Sequence, residues 1–122
     1  IVLPALEAFE PDAIVVACGL DASGVDPLGR MMAGSHTFRE MTEMTKEAAA
    51  SLCGGRLVLV HEGGYSEAHV PFCGHAVIEA LSGSDIRAPD PLDARIRAQQ
   101  PGPRLDAFCS ALIGEMAADL GY

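Results

Sequence analysis

Arg56-Leu57-Val58-Leu59-Val60-His61-Glu62-Gly63-Gly64-Tyr65 is the stretch on which the fold turns. A run of branched apolar residues without polar alternation reads as a strand buried on both faces, the pattern of a parallel sheet covered by helices. The run stops at a charge, two glycines and a tyrosine, so the strand delivers one functional side chain, Tyr65, to its carboxyl end. A second apolar run, Ala13-Ile14-Val15-Val16-Ala17, closes on Cys18-Gly19-Leu20-Asp21. With the two strands parallel, Asp21 and Tyr65 stand at the same end of the sheet, where open α/β sheets bind their ligands.

Between the strands, Thr37-Phe38-Arg39-Glu40 fits a capping box at a helix start. Phe38, Met41, Thr45, Ala48 and Leu52 recur on one face, and Gly54-Gly55 supplies a left-handed stop. The strands at 13–18 and 56–61 and the helix at 37–53 therefore form a βαβ unit with a right-handed crossover. Upstream, residues 2–10 carry apolar side chains at helical spacing and end at Pro11. Downstream, a helix over 70–82 starts near Pro71, buries Cys73, Ala76, Val77, Ala80 and Leu81, and ends at Gly83. The loop 19–35 is irregular, and the proline-rich segment 84–103 wraps the surface with a helical turn around Leu92–Ala98. A last amphipathic helix over 104–120 carries Leu105, Phe108, Leu112, Met116 and Leu120. Two parallel strands buried by helices leave two long unpaired edges, which natural sheets pair or cover. Residues 1–122 thus read as the C-terminal part of a single larger α/β domain whose N-terminal part is absent.

Composition narrows the function classes. The formal net charge is −9, and eight Lys and Arg, of which only Lys46 is lysine, face 17 acids. Such a surface repels a phosphate backbone and favours a cationic partner, so nucleic acid is not expected. Hydrophobic residues make up 49% of the chain, yet the apolar runs are strand-length, far short of the roughly 20 residues that cross a bilayer. No membrane span and no signal peptide are visible. Cys18, Cys53, Cys73 and Cys109 form no C-x-x-C pair and lie in apolar segments. They read as reduced core residues, which points to a cytoplasmic setting.

Local chemistry leaves alternatives open. An aspartate just past a buried strand suits a hard oxygen ligand for a metal, but it equally caps a turn. A tyrosine after two glycines can donate a hydrogen bond to a developing oxyanion, or pack at a loop. Gly63-Gly64 lacks the spacing of a phosphate loop, and His61-Glu62 lacks the second histidine of a zincin helix. His61 reads as a strand-end histidine with a structural hydrogen bond. His36, His69 and His75 read as surface or helix residues, and spacing supports no Ser-His-Asp or Cys-His pairing.

Taken jointly, Val16-Ala17-Cys18-Gly19-Leu20-Asp21-Ala22, Asp26-Pro27-Leu28-Gly29 and Val58-Leu59-Val60-His61-Glu62-Gly63-Gly64-Tyr65 resemble the C-terminal third of the zinc-dependent histone deacetylase family. Glu62-Gly63-Gly64-Tyr65-Ser66, Pro71-Phe72-Cys73-Gly74 and Ile96-Arg97-Ala98-Gln99-Gln100-Pro101 are similar to its class II-like bacterial branch, the histone deacetylase-like amidohydrolases. The resemblance implies an α/β fold, part of an arginase/deacetylase-like three-layer sandwich around a parallel sheet. It implies an enzyme that removes acetyl or short acyl groups from acyl-lysine peptides or small acylated amines. Asp21 matches a zinc ligand, and Tyr65 the catalytic residue that stabilises the oxyanion. Leu28 matches the apolar wall of the acyl-lysine tunnel, and Gly63 and Gly64 the glycines that let the tyrosine loop line the pocket. The paired histidines, the remaining Zn2+ ligands and the K+ sites of the family belong upstream of Ile1. The isolated chain is accordingly expected to be inactive. The alternative is a non-catalytic family member or fragment that binds an acylated ligand or a partner, and a homo-oligomer is compatible with either.

Overall fold

The computed structural model describes residues 1–29 and 31–122. Helix α1 (Val2–Phe9) ends where Glu10 takes the left-handed conformation at φ 52° and returns its N–H to the Leu6 carbonyl. Pro11 then directs the chain into strand β1 (Ile14–Cys18), followed by a 3₁₀ turn at Leu20–Ala22. Helix α2 (Ser35–Cys53) leads through Gly54 and Gly55, both at positive φ, to strand β2 (Leu57–His61). Helices α3 (Val70–Ser82), α4 (Asp93–Ala98) and α5 (Pro103–Asp119) complete the order.

The two strands pair in parallel, in register from Ile14 opposite Leu57 to Cys18 opposite His61. Parallel pairing puts both carboxyl ends on one side, as the sequence requires for Asp21 and Tyr65 to meet. Two small cores hold the ladder. Leu20, Phe38, Cys73 and Val77 join α2, α3 and the 3₁₀ turn, while Ile14, Ala49 and Cys53 seat β1 on α2.

Several sequence expectations change in detail. The strands are not covered on both faces: Val15, Val58 and Val60 are 69%, 56% and 47% exposed. Among the described residues, helices cover only the face bearing Ile14, Val16 and Leu59. Helix α2 begins two residues before Thr37, with extended Gly34 as its N-cap. Thr37 is therefore the third helical residue, and its hydroxyl accepts the Gly34 N–H at 3.2 Å from inside the helix. The buried stripe of α2 is Phe38, Thr42, Ala49 and Cys53, with Met41 exposed. Burial of Thr42 is tolerated because its hydroxyl donates to the Phe38 carbonyl at 2.7 Å.

In α3, Glu79 is buried where Leu81 was expected. Arg39 makes a two-pronged bond to its carboxylate, at 3.1 Å for both prongs, and Arg87 pairs with it as well. Of the four cysteines, Cys53 and Cys73 are buried, Cys18 is half-buried, and Cys109 is exposed, so Cys109 is not a core residue. Helix α5 has no buried residue, and Leu105, Phe108, Leu112 and Met116 form an apolar stripe 45–64% exposed. No helix of the described residues is long and apolar enough to cross a membrane.

Candidate active site

Beyond Cys18 and His61 the two strands continue as adjoining loops. The Glu62 N–H donates to the Cys18 carbonyl at 3.2 Å, and the Leu20 N–H to the Gly63 carbonyl at 2.6 Å. These bonds extend the ladder past its last paired residues and set the Asp21 turn directly against Gly63. A Cβ on Gly63 would fall within 2.9 Å of both carboxylate oxygens of Asp21. Gly63 is glycine because the carboxylate occupies the space a side chain would need. Gly64 answers a different demand: its φ of +139° excludes other residues, and a Cβ there would stand 2.9 Å from that of Leu20.

Asp21 is half-buried, and no described side chain hydrogen-bonds its carboxylate. Tyr65 is 55% exposed and Leu28 is 68% exposed, so both are free to meet a ligand. Asp26 holds these residues in place. Its Oδ1 accepts the N–H groups of Leu28 and Gly29, each at 2.8 Å, and its Oδ2 accepts the Tyr65 N–H at 2.8 Å. One carboxylate thus ties the Leu28 turn to the Tyr65 loop. Burial works to raise the Asp26 carboxyl, but backbone N–H groups of Gly29, Tyr65, Leu28 and Ser66 outweigh it and hold the carboxyl below its ordinary value.

Asn at position 26 cannot accept at both ends, so Asp26→Asn is expected to lower Tm and loosen the Tyr65 loop. A depressed folded-state pKa stabilises above the unfolded value and stops stabilising as pH falls through the folded one. The Tm gap between wild type and variant should therefore be full at neutral pH and close below the ordinary carboxylate range. Thermal melts across that range check it; a gap unchanged at low pH would refute the assignment.

A second polar group emerges that sequence spacing does not reveal. His69 is fully buried, not a surface residue. Its Nδ1 lies 2.6 Å from Ser23 Oγ and its Nε2 lies 2.8 Å from Asp90 Oδ2, which also accepts the Ser35 hydroxyl at 2.7 Å. Burial would raise the Asp90 carboxyl, but its bonds to His69, Ser35 and Leu92 hold it low. Although it contains serine, histidine and aspartate, this group is no nucleophilic triad, because Ser23 has no exposed surface for a substrate to reach. Cys73, 3.5 Å from His69, is equally sealed. Burial, aided by Asp90 and Cys18, pushes its thiol up to about 12, which leaves it a neutral packing group.

Asp21, Leu28, Gly63, Gly64 and Tyr65 thus stand at one sheet end, with the strands parallel as the placement of Asp21 and Tyr65 requires. Asp26 was legible only as the first residue of the Asp26-Pro27-Leu28-Gly29 motif, with no role assigned, and no local pattern marks Ser23, His69 and Asp90, which lie 46 and 21 residues apart along the chain. Among the described residues, no group of three His, Cys, Asp or Glu side chains is arranged to hold a metal. Asp21 fits one oxygen ligand, not a complete site. An apolar cavity of about 400 Å³ between β2 and α3, lined by Leu20, Leu59, Val70 and Ile78, is not lined by Asp21, Leu28 or Tyr65.

Known proteins resemble the chain over most of its length. The family model of the histone deacetylase domain matches residues 1–81. The chain is 56% identical over 121 residues to the histone deacetylase-like amidohydrolase of Pseudomonas aeruginosa, covering 99% of this chain and 32% of that protein. It is 33% identical over 91 residues to histone deacetylase 8 of Arabidopsis thaliana, covering 75% of this chain and 23% of that protein. Among solved structures, the HD domain of HDA15 matches with a TM-score of 0.61 and 32% identity, over 79% of this chain and 26% of that one. The chain spans about a third or less of the length of these relatives.

Proposed function

Because the chain belongs to the histone deacetylase family, we propose that it is the C-terminal third of a zinc-dependent amidohydrolase domain that removes acetyl or short acyl groups from acyl-lysine or acylated amines. The observation that carries this reading is the seat of the Asp21 carboxylate against Cβ-free Gly63, on a loop bonded to the one that bears Tyr65. In that seat Asp21 would supply one carboxylate ligand to zinc. Zinc, when bound, supplies Lewis-acid polarisation of the scissile carbonyl and activation of water. Tyr65 donates its phenolic proton in a hydrogen bond to the oxygen on which negative charge develops. Leu28 lies along the methylene stem of the acylated amine, and Asp26 fixes Leu28 and Tyr65 relative to each other. The acidic balance of the chain, −9, favours the approach of substrates that carry positive charge.

The bare valines of β1 and β2 and the unpaired edges of the ladder support placing further strands and helices of the same domain against them. One carboxylate does not make a catalytic zinc site, which takes about three protein ligands plus water. The 122-residue chain alone is therefore expected to hold no stoichiometric zinc and to leave a fluorogenic acetyl-lysine peptide intact. The complete domain should bind zinc and deacylate the peptide. Metal analysis and the peptide assay on the two proteins decide the matter; zinc retention or turnover by the chain alone, or none by the complete domain, would overturn the proposal.

A further inference from the structure

The side chains of Ser23, His69 and Asp90 are almost wholly buried, at most 3% exposed, and their bonds close a ring around the tyrosine loop. Ser23 lies two residues beyond Asp21, and its carbonyl accepts the Asp26 N–H at 3.1 Å. Asp26 in turn accepts the Tyr65 N–H. The Ser66 carbonyl next to Tyr65 accepts the N–H groups of His69 and Val70 at 3.0 and 2.9 Å. The His69 ring then returns to Ser23 at 2.6 Å. Tyr65 is thus held from both sides, by Asp26 and by the turn that His69 anchors.

The outer support of the ring comes from beyond the residues matched by the family model, which end at 81. Asp90 lies in the strap between α3 and α4 and seats His69 through its Nε2. The strap is itself pinned down. Ile96 is fully buried, in a position where Cβ atoms on Gly24 or Gly34 would touch it. Asp93 lies 2.8 Å from the His36 ring, and the Gln100 amide donates to the Met32 carbonyl at 2.7 Å.

We infer that Asp90 and His69 are positioning residues for Tyr65: the strap, acting through His69 and Ser23, fixes the tyrosine loop relative to Asp21. The inference rests on the deacetylase reading for what Tyr65 does, and on geometry alone for how it is held. A carboxylate on one imidazole nitrogen and a hydroxyl on the other hold the ring in one orientation, with Nε2–H donating to the Asp90 carboxylate and Nδ1 bonded to the Ser23 hydroxyl. Changing either partner frees the ring and, with it, the 65–69 turn.

Two near-isosteric variants, Asp90→Asn and His69→Gln, test it. In the 122-residue chain, hydrogen exchange followed by mass spectrometry should show segment 62–69 exchanging about tenfold faster, with α2 unchanged. No change at 62–69, or equal acceleration in every segment, would overturn the inference by making the group inert or merely a folding element. In the complete domain the same variants should lower kcat about tenfold, with KM and bound zinc within about twofold of wild type. An unaltered kcat, or loss of zinc in step with activity, would overturn it. Tyr65→Phe in the same assay separates the two levels of the argument. If that variant is inactive while Asp90→Asn and His69→Gln turn over normally, only the positioning role falls; if it is fully active, the deacetylase role of Tyr65 falls.

Discussion

Tyr65→Phe in the complete domain is expected to lower turnover about 10²-fold or more while leaving zinc bound and the fold intact. The change removes one oxygen. Among the described residues that oxygen makes no structural hydrogen bond, and the side chain is 55% exposed, so little stability depends on it. What fixes the residue is its backbone N–H on Asp26, and phenylalanine keeps that bond. Loss of activity without loss of metal or of Tm therefore isolates the phenol as a group acting on the reacting carbonyl. Steady-state kinetics on an acetyl-lysine peptide, with metal analysis and a thermal melt on the same samples, make the comparison. Turnover equal to wild type would remove Tyr65 from the chemistry.

Gly63→Ala is expected to weaken zinc binding by about 10 to 100-fold, the range seen when a group that orients a metal ligand is disturbed, and to cost about 1–3 kcal/mol of stability through overpacking. The new methyl group would lie within 2.9 Å of the Asp21 carboxylate oxygens. The backbone cannot simply withdraw, because the Gly63 carbonyl accepts the Leu20 N–H at 2.6 Å. Either Asp21 turns away or the two loops part, and each outcome spoils the ligand. Gly102→Ala provides the control, since no atom lies within 4 Å of a Cβ placed there. Chelator competition in the complete domain gives the affinity ratio; a Gly63→Ala protein that binds zinc like wild type would show that the carboxylate has no fixed role in the site.

The parts of this fold that were legible in the sequence are those set by local pattern. Uninterrupted Val, Ile and Leu runs mark β1 and β2, Gly54-Gly55 and Gly83 mark helix ends, and strand ends followed by Asp21 and by Gly63-Gly64-Tyr65 mark the site. Misreadings arise where a polar group is satisfied at a distance or inside its own helix. Thr42, absent from the face that the helical spacing picks out, is buried with its hydroxyl bonded to the preceding turn. Glu79 is buried because Arg39, 40 residues earlier, reaches it. His69 owes its burial to Ser23 and Asp90, whose approach depends on the path of two loops and leaves no periodic trace. For α5 the apolar period is legible, but what packs on it is not a property of the helix.

The bare side of the sheet has a cost outside catalysis. Val15, Val58 and Val60 stand on a short parallel ladder with unpaired backbone groups at its edges, the kind of surface onto which another extended chain can add. In the 122-residue chain the nine net negative charges oppose that association by keeping copies apart. The same valines that seat a neighbouring layer in a finished domain are thus, wherever that layer is missing, a surface open to unintended pairing.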